Sequence, residues 1–203
     1  GGNIMIYTLT LNPALDYDIY MDSFQEGDLN LSKEVNIRAG GKGINVSKLL
    51  ANLGIKSKAL GYTAGFTGDF IKKNLYDEGI ESDFVELDGI TRINVKINNN
   101  SKETEIAGLS PKITKEAEEK LIEKISKLQK DDILILSGSI PGSIERNIYK
   151  KLAEMLPEGT KIVLDTRGNL LKENLNGNFL IKPNIAELEE MFETRLSTTA
   201  DII

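Results

Sequence analysis

The sequence predicts an α/β protein: a mainly parallel sheet flanked by helices, with a small antiparallel sheet set apart from it. Three observations lead there. Short apolar or β-branched runs alternate with segments of helical periodicity along most of the 203 residues, the pattern of a parallel sheet covered on both faces. Two other stretches alternate residue by residue, as strands with one polar face do. The loops after the apolar runs are rich in Gly, Ser, Asn and Asp, and open α/β sheets bind ligands beyond the carboxyl ends of their strands.

The elements follow in chain order. Gly1 to Ile4 read as an extension ahead of Met5, and residues 5–203 as one domain. Residues 5–11 are nearly all apolar or β-branched and form a buried strand that stops at Asn12-Pro13. The loop "LNPALD" follows, ending in Asp16. In "LNLSKEVNIR", Leu29, Leu31, Val35 and Ile37 share one face, with Lys33 interrupting, so a strand is expected over 29–38. Val46, Leu49, Leu50 and Leu53 recur at i, i+3, i+4 and i+7 and predict a helix over 43–53, stopped by Gly54. A strand is expected at 56–62. "TAGFTGD" then reads as a strand-to-helix turn, with Asp69 near the start of a helix over 68–78.

"TRINVKI" places Ile93, Val95 and Ile97 on one face and Arg92, Asn94 and Lys96 on the other. The turn signals "DG" at 88–89 and "NNNS" at 98–101 bracket it as hairpin turns. The segments 16–38 and 84–107 therefore hold the strands of the small sheet. Thr114 is placed to cap a helix over 114–129, with Leu121, Ile125 and Leu128 as its buried stripe. Strands at 132–137, 161–165 and 178–182 alternate with helices at 144–155 and 184–193. The loops after these strands are "SGSIPG", "DTRG" with Asp165, and "KPNIAELEE".

Composition excludes whole classes of chemistry. The chain contains no His and no Cys. Ser-His-Asp and Cys-His nucleophiles are impossible within it, and a metal would have oxygen ligands, Mg²⁺ foremost. A general base must be Asp, Glu, Lys or Tyr. The lack of Cys fits the cytoplasm. No apolar run reaches membrane-spanning length, and a formal net charge of −6 argues against a general nucleic-acid binder.

"RAGGKGINVSKLLANLG", residues 38–54, carries three glycines and a lysine into a helix start. It matches neither G-x-x-x-x-G-K-[ST] nor G-x-G-x-x-G, so neither the NTPase phosphate loop nor the dinucleotide fingerprint applies. Free N–H groups and a positive dipole end favour an anion or a set of hydroxyls there. A plain turn into a helix is the alternative.

Taken together, "TLTLNPALD", "GGKGINV", "TRINVKI", "SGSIPG" and "KPNIAEL" resemble, in order and spacing, the ribokinase-like sugar kinases. Within them the chain is most similar to the phosphosugar branch, its 1-phosphofructokinases above all. The resemblance runs from Met5 to about Arg195. It implies transfer of the ATP γ-phosphoryl group to fructose 1-phosphate, giving fructose 1,6-bisphosphate, with Mg²⁺ as the metal. A tagatose-6-phosphate kinase or a related phosphosugar kinase is the alternative. It also implies a homodimer formed through the small sheet, which acts as a lid over the sugar.

Position by position, Asp16 resembles the carboxylate that accepts sugar hydroxyls. Gly40, Gly41 and Asn45 resemble the glycine-loop contacts to the sugar, with Lys42 supporting the same pocket or the substrate phosphate. Arg92 resembles the arginine that holds the substrate's phosphate, and Ser139 assists. Lys182 resembles the lysine that neutralises the moving phosphoryl group, while Asn184 and Glu187 resemble the residues on the Mg²⁺ side. Each has a plainer rival: a turn cap for Asp16, a solvated charge for Arg92, a first-turn helix acid for Glu187.

The family's later signature, "GAGD", does not occur in these residues. Its aspartate is the family's base, and the adenine-binding elements that follow it are not recognisable either. The expectation is a kinase sequence lacking its last third and inactive as 203 residues. A non-catalytic sugar-phosphate-binding fragment is the reading of another class. A dinucleotide oxidoreductase is disfavoured by the missing fingerprint.

Overall fold

A computed structural model describes residues 4–100, 102–166, 173–174, 180–182 and 189. Eleven strands and four helices are defined among them. The main sheet contains β1 (Ile6–Thr10), β4 (Ser57–Ala64), β5 (Glu81–Ser82), β6 (Val85–Leu87), β9 (Ile133–Ser137), β10 (Lys161–Asp165) and β11 (Leu180–Ile181). Its order is β11-β10-β9-β1-β4-β5, with β6 also on β4. Every pairing in it is parallel.

The helices α1 (Lys42–Asn52) and α2 (Gly65–Asp77) cover one face, α3 (Lys115–Ser126) and α4 (Ile148–Glu154) the other. Alternation along the strands decides what each face receives. On β1, Leu9 enters a core with Leu121 and Ile125 of α3 and Leu152 of α4. Thr8 faces the α1 side, where its hydroxyl bonds Ser47 at 2.7 Å. A smaller core on that side joins Ile44 to Ile71 and Leu75. Each fully buried Leu or Ile contributes roughly 1.5–3 kcal/mol relative to exposure.

The second sheet has the order β3-β2-β7-β8, formed by β2 (Ala14–Met21), β3 (Glu34–Gly40), β7 (Ile93–Asn99) and β8 (Lys102–Ile106). It is mixed. β2 pairs β7 in parallel, while β3 and β8 return antiparallel at the edges. The outgoing strands both leave the main body at the same place, so their directions agree.

Several expectations shift. The loop expected up to Asp16 ends sooner: β2 begins at Ala14, with Asp16 inside the strand, and continues into the segment expected to hold lid strands. The strand expected from residue 29 begins at Glu34, and Leu29 and Leu31 are exposed. The "DG" turn joins β6 of the main sheet to β7 of the lid and closes no hairpin, because β6 pairs with β4. The 98–101 turn does close one, with Asn99 opposite Lys102.

Helix α1 buries Gly43, Ile44 and Ser47, not the Val46–Leu49–Leu53 stripe. At Gly43 it lies so close to β1 that a Cβ would meet the Leu9 carbonyl oxygen at 2.8 Å. Leu49 and Leu53 remain exposed. Helix α2 begins three residues earlier than the periodicity indicates, and α4 begins later, at Ile148. Helix α3 behaves as read: Thr114 Oγ1 accepts from Ala117 N at 3.2 Å, and Leu121, Ile125 and Leu128 are buried. The helix expected at 184–193 falls almost wholly outside the described residues. Among the described residues no helix is long and apolar enough to cross a membrane.

Candidate functional site

The register of the main sheet brings Gly61, Thr10, Ser137 and Asp165 into one row across β4, β1, β9 and β10, at the carboxyl ends of the last three. Thr10 and Ser137 of this row, with Gly138 and Thr166 just beyond the strand ends, form the floor of a cleft of about 510 Å³ whose roof is the inner face of the lid. The Thr10 and Ser137 hydroxyls are buried and without partners among the described residues. A similar groove of about 550 Å³ lies at the lid tip. There Lys33 already pairs with Asp22 at 2.6 Å, whereas the cleft at the strand ends gathers residues from both sheets.

Gly41, Lys42 and Asn45 present the start of α1 to the cleft. Gly41 precedes the helix with φ of 126°, and no side chain caps it, so that start is open to a ligand. The glycines also answer packing needs. A Cβ on Gly41 would come within 2.7 Å of Thr10 Cγ2, one on Gly43 would collide with Thr10 Oγ1, and one on Gly40 would lie 2.5 Å from Asp16 Oδ2. Lys42 Nζ lies 3.8 Å from Asp165 Oδ1.

The lid supplies the other charges. Asp16 on β2 is 5% exposed and lines the cleft. Its Oδ1 accepts from Asn94 Nδ2 at 3.2 Å. Its Oδ2 lies 3.0 Å from Arg38 Nη1 and 3.6 Å from Lys96 Nζ. The polar face read from "TRINVKI" does face the cleft: Arg92, Asn94 and Lys96 all line it.

Arg92 is half-buried and fixed. Its Nε donates to the Pro13 carbonyl at 3.4 Å and its Nη2 to the Asn12 carbonyl at 3.1 Å. Two of its five donors are so engaged, leaving three for a ligand. Burial pushes the guanidinium below its ordinary value, against the opposing pull of Asp16 and Glu105.

Asn12 and Tyr149 hold the "SGS" loop. Asn12 Nδ2 donates to Ser139 Oγ at 3.2 Å, and Ser110 Oγ donates to Asn12 Oδ1 at 2.7 Å. The buried Tyr149 hydroxyl reaches the carbonyls of Ser137 at 3.1 Å and Gly138 at 3.2 Å. Its single proton serves one at a time. Burial, with Asp165 adding to it, raises the Tyr149 phenol far above its ordinary value, so it stays a donor.

The structure thus brings Asp16, Gly41, Lys42, Asn45, Arg92 and Ser139 to one cleft, with Gly40 directly behind Asp16. Lys182 does not line it. It is exposed at the end of β11, its N–H donating to the Leu164 carbonyl at 3.2 Å. Asn184 and Glu187 lie outside the described residues. Asp69 stays away from the cleft, paired with Lys72 at 2.9 Å. Sequence reasoning passed over Thr10, Asn12, Asn94, Lys96, Glu105 and Ser137 as site residues. For Asn94 and Lys96 the signal was present, in the same alternation that marked Arg92.

Among the described residues no group of three or more His, Cys, Asp or Glu is placed to hold a metal ion. The cleft offers cations and hydroxyls instead, the chemistry of a phosphorylated polyol.

Comparison with known proteins agrees with this chemistry. The description "pfkB family carbohydrate kinase" matches residues 9–203. A 1-phosphofructokinase of Borreliella burgdorferi is 44% identical over 200 residues, covering 98% of this chain and 65% of its own length. A D-tagatose-1-phosphate kinase of Bacillus licheniformis is 37% identical over 201 residues, with coverage of 98% and 66%. The solved structure of phosphofructokinase-2 from Escherichia coli in complex with fructose-6-phosphate is 25% identical with a TM-score of 0.91, covering 98% of this chain and 68% of that one. The chain spans about two thirds of the length of the curated relatives it matches.

Proposed function

The chain belongs to the pfkB family of carbohydrate kinases, and on that premise we propose that it supplies the sugar-phosphate site of an ATP-dependent kinase acting on fructose 1-phosphate. The observation that carries the reading is the cleft itself. Asp16, held among Arg38, Asn94 and Lys96, faces the open start of α1 and the fixed guanidinium of Arg92. A ketose fits between them, its hydroxyls accepted by Asp16 and its phosphate bound by Arg92 with Lys42 or Lys96. Relatives that act on a ketose 1-phosphate support that class of acceptor. A tagatose phosphate is the second reading, supported by the relative named for tagatose 1-phosphate.

In the reaction the acceptor's C6 hydroxyl oxygen forms a bond to the γ-phosphorus of ATP. The bond from that phosphorus to the β,γ-bridging oxygen breaks, ADP leaves, and the hydroxyl proton passes to a base. The cleft residues bind and orient the acceptor for this transfer, which relies mainly on positioning and electrostatics. Lys182 is assigned to charge neutralisation and Asn184 and Glu187 to Mg²⁺ on resemblance. The ion supplies further neutralisation of the transferred phosphates. The base belongs to a "GAGD" that these residues do not contain, so the 203 residues alone are assigned binding without turnover. A cytoplasmic location is part of the same reading.

The lid's outer face is assigned to a second copy of the chain. Val35, Ile37 and Ile106 are exposed on it, an apolar surface of the kind that marks interfaces. Sedimentation of the chain and of Ile37→Asp tests this: a dimer that the substitution dissociates is expected, and a monomer at all concentrations refutes it.

Calorimetric titration with fructose 1-phosphate, fructose 6-phosphate and fructose tests the substrate. Binding should favour fructose 1-phosphate, while a coupled assay with ATP and Mg²⁺ should show no turnover. Equal affinity for fructose overturns the phosphate assignment. Turnover near one per second, the low end of ordinary enzyme rates, overturns the assignment of the base.

A further inference from the structure

The lid holds a second carboxylate that the cleft does not expose. Asp16 and Asp18 stand two residues apart on β2 and so share one face of the sheet. Each is only 5% exposed. One guanidinium from β3 serves both: Arg38 Nε donates to Asp18 Oδ2 at 2.9 Å, and Arg38 Nη1 lies 3.0 Å from Asp16 Oδ2. Asp16 lines the cleft, whereas Asp18 and Arg38 do not.

A buried carboxylate costs several kcal/mol of desolvation unless it is well paired. Arg38 and Lys96, the latter 3.6 Å from Asp16 Oδ2, balance the two acids in charge; what Asp18 adds beyond charge is geometry. With Nε tied to Asp18, the planar guanidinium cannot rotate, and its Nη1 is fixed on Asp16. Asn94 takes the opposite oxygen at 3.2 Å, and Gly40 closes the space behind. Each Asp16 oxygen therefore receives at least one protein donor and keeps acceptor capacity for the cleft. Burial works against the Arg38 charge, but the bond to Asp18 and the two carboxylates outweigh it and hold the guanidinium above its ordinary value.

We infer that Asp18, acting through Arg38, sets the orientation of the Asp16 carboxylate, so that Arg38 and Asp18 are positioning residues for recognition of the ligand's hydroxyls. This rests on the reading of Asp16 as the hydroxyl acceptor.

The test is a double-mutant cycle read by titration with fructose 1-phosphate, with urea unfolding confirming that each variant is folded. Asp18→Asn keeps the shape but weakens the hold on Nε. Arg38→Lys keeps the charge, but one ammonium cannot bridge both acids in that plane. Each should weaken binding about tenfold, the lower range for a charge-assisted hydrogen bond. In an Asp16→Asn background each should cost less than about twofold, because there is no carboxylate left to orient. A purely structural role gives the same loss in both backgrounds. Either variant suffices if the other fails to fold.

If Asp16→Asn leaves affinity within about twofold of the unsubstituted chain, or the unsubstituted chain binds no sugar phosphate, the functional reading fails and takes the inference with it. If Asp16→Asn weakens binding but the loss from Asp18→Asn or Arg38→Lys is absent, or persists undiminished beside Asp16→Asn, the inference alone is overturned.

Discussion

Replacing Gly40 by alanine adds one methyl group at the point where the lid's acid is held. The new Cβ would stand 2.5 Å from Asp16 Oδ2, 2.6 Å from Cγ and 2.8 Å from Oδ1, where ordinary contact begins near 3.4 Å. The carboxylate would have to retreat by about 0.9 Å. It has no slack, because Arg38 at 3.0 Å and Asn94 at 3.2 Å hold its two oxygens. Either those bonds stretch or the backbone of β3 moves away from β2. Overpacking of this kind costs about 1–3 kcal/mol. For a chain of this size that lowers the melting temperature by roughly 4–8 °C at the middle of the range. The ligand should suffer more than the fold, since misplacing a charged acceptor forfeits about 1.5–3 kcal/mol, or about 10–100-fold in affinity. Thermal melting and titration with fructose 1-phosphate measure the two effects. Gly142→Ala is the control, because a Cβ there meets nothing within 4 Å. Unchanged binding by a folded Gly40→Ala chain would refute the claim that Asp16 is fixed in the orientation the ligand needs.

Arg92→Lys should weaken fructose 1-phosphate by about 10–100-fold and fructose hardly at all, since lysine cannot bond both the Asn12 and Pro13 carbonyls and still hold a phosphate. Parallel titrations check this, and equal losses for both sugars refute it. Tyr149→Phe should destabilise the chain by about 1–2 kcal/mol in urea, through the lost buried donor to the Ser137 and Gly138 carbonyls. It should also weaken sugar-phosphate binding by loosening the Ser139 loop. Thr114→Ala should cost about 1 kcal/mol in the same urea assay, with binding untouched, because it removes only the cap on α3. A change in binding there would mean α3 is coupled to the cleft.

How much of this was legible depended on whether one period acted alone. Leu121, Ile125 and Leu128 repeat every three to four residues, and nothing competes for the face they choose, so α3 was read correctly down to its Thr114 cap. "TRINVKI" was read correctly for the same reason, its two-residue period assigning Arg92, Asn94 and Lys96 to one face. In α1 two demands conflict. The apolar stripe through Leu49 and Leu53 points outward, because the face turned to the sheet is the one carrying Gly43, where β1 comes so close that a Cβ would meet Leu9 O at 2.8 Å, together with Ile44 and Ser47. No periodicity contains that distance. The start of β2 was misread for another reason. Leu15, Tyr17 and Ile19 alternate with Asp16, Asp18 and Tyr20, but Pro13 drew the segment into a loop. β1 ends at Thr10, and directly after Pro13 a new strand in a different sheet begins at Ala14.

That break is what makes the site. The main sheet offers strand ends fixed by helices on both faces, and among the described residues these bring the hydroxyls of Thr10, Ser137, Ser139 and Thr166 to the cleft but no charge. Apart from Lys42, the charged groups come from the lid, a four-stranded sheet that meets the main body through α2, where Ala39 N donates to Asn74 Oδ1 at 3.2 Å. A charge on such an element would ordinarily swing into water. Here each is tied before any ligand arrives: Asp16 by Arg38 and Asn94, Arg92 by the carbonyls of Asn12 and Pro13. Those carbonyls lie in the link between β1 and β2, so Arg92 also fastens the lid to the floor. The cost of ordering these side chains is met in folding and does not fall on binding. Because the partners stand about eighty positions apart in the chain, no single motif displays the arrangement, and the register of β2 against β7 is what assembles it.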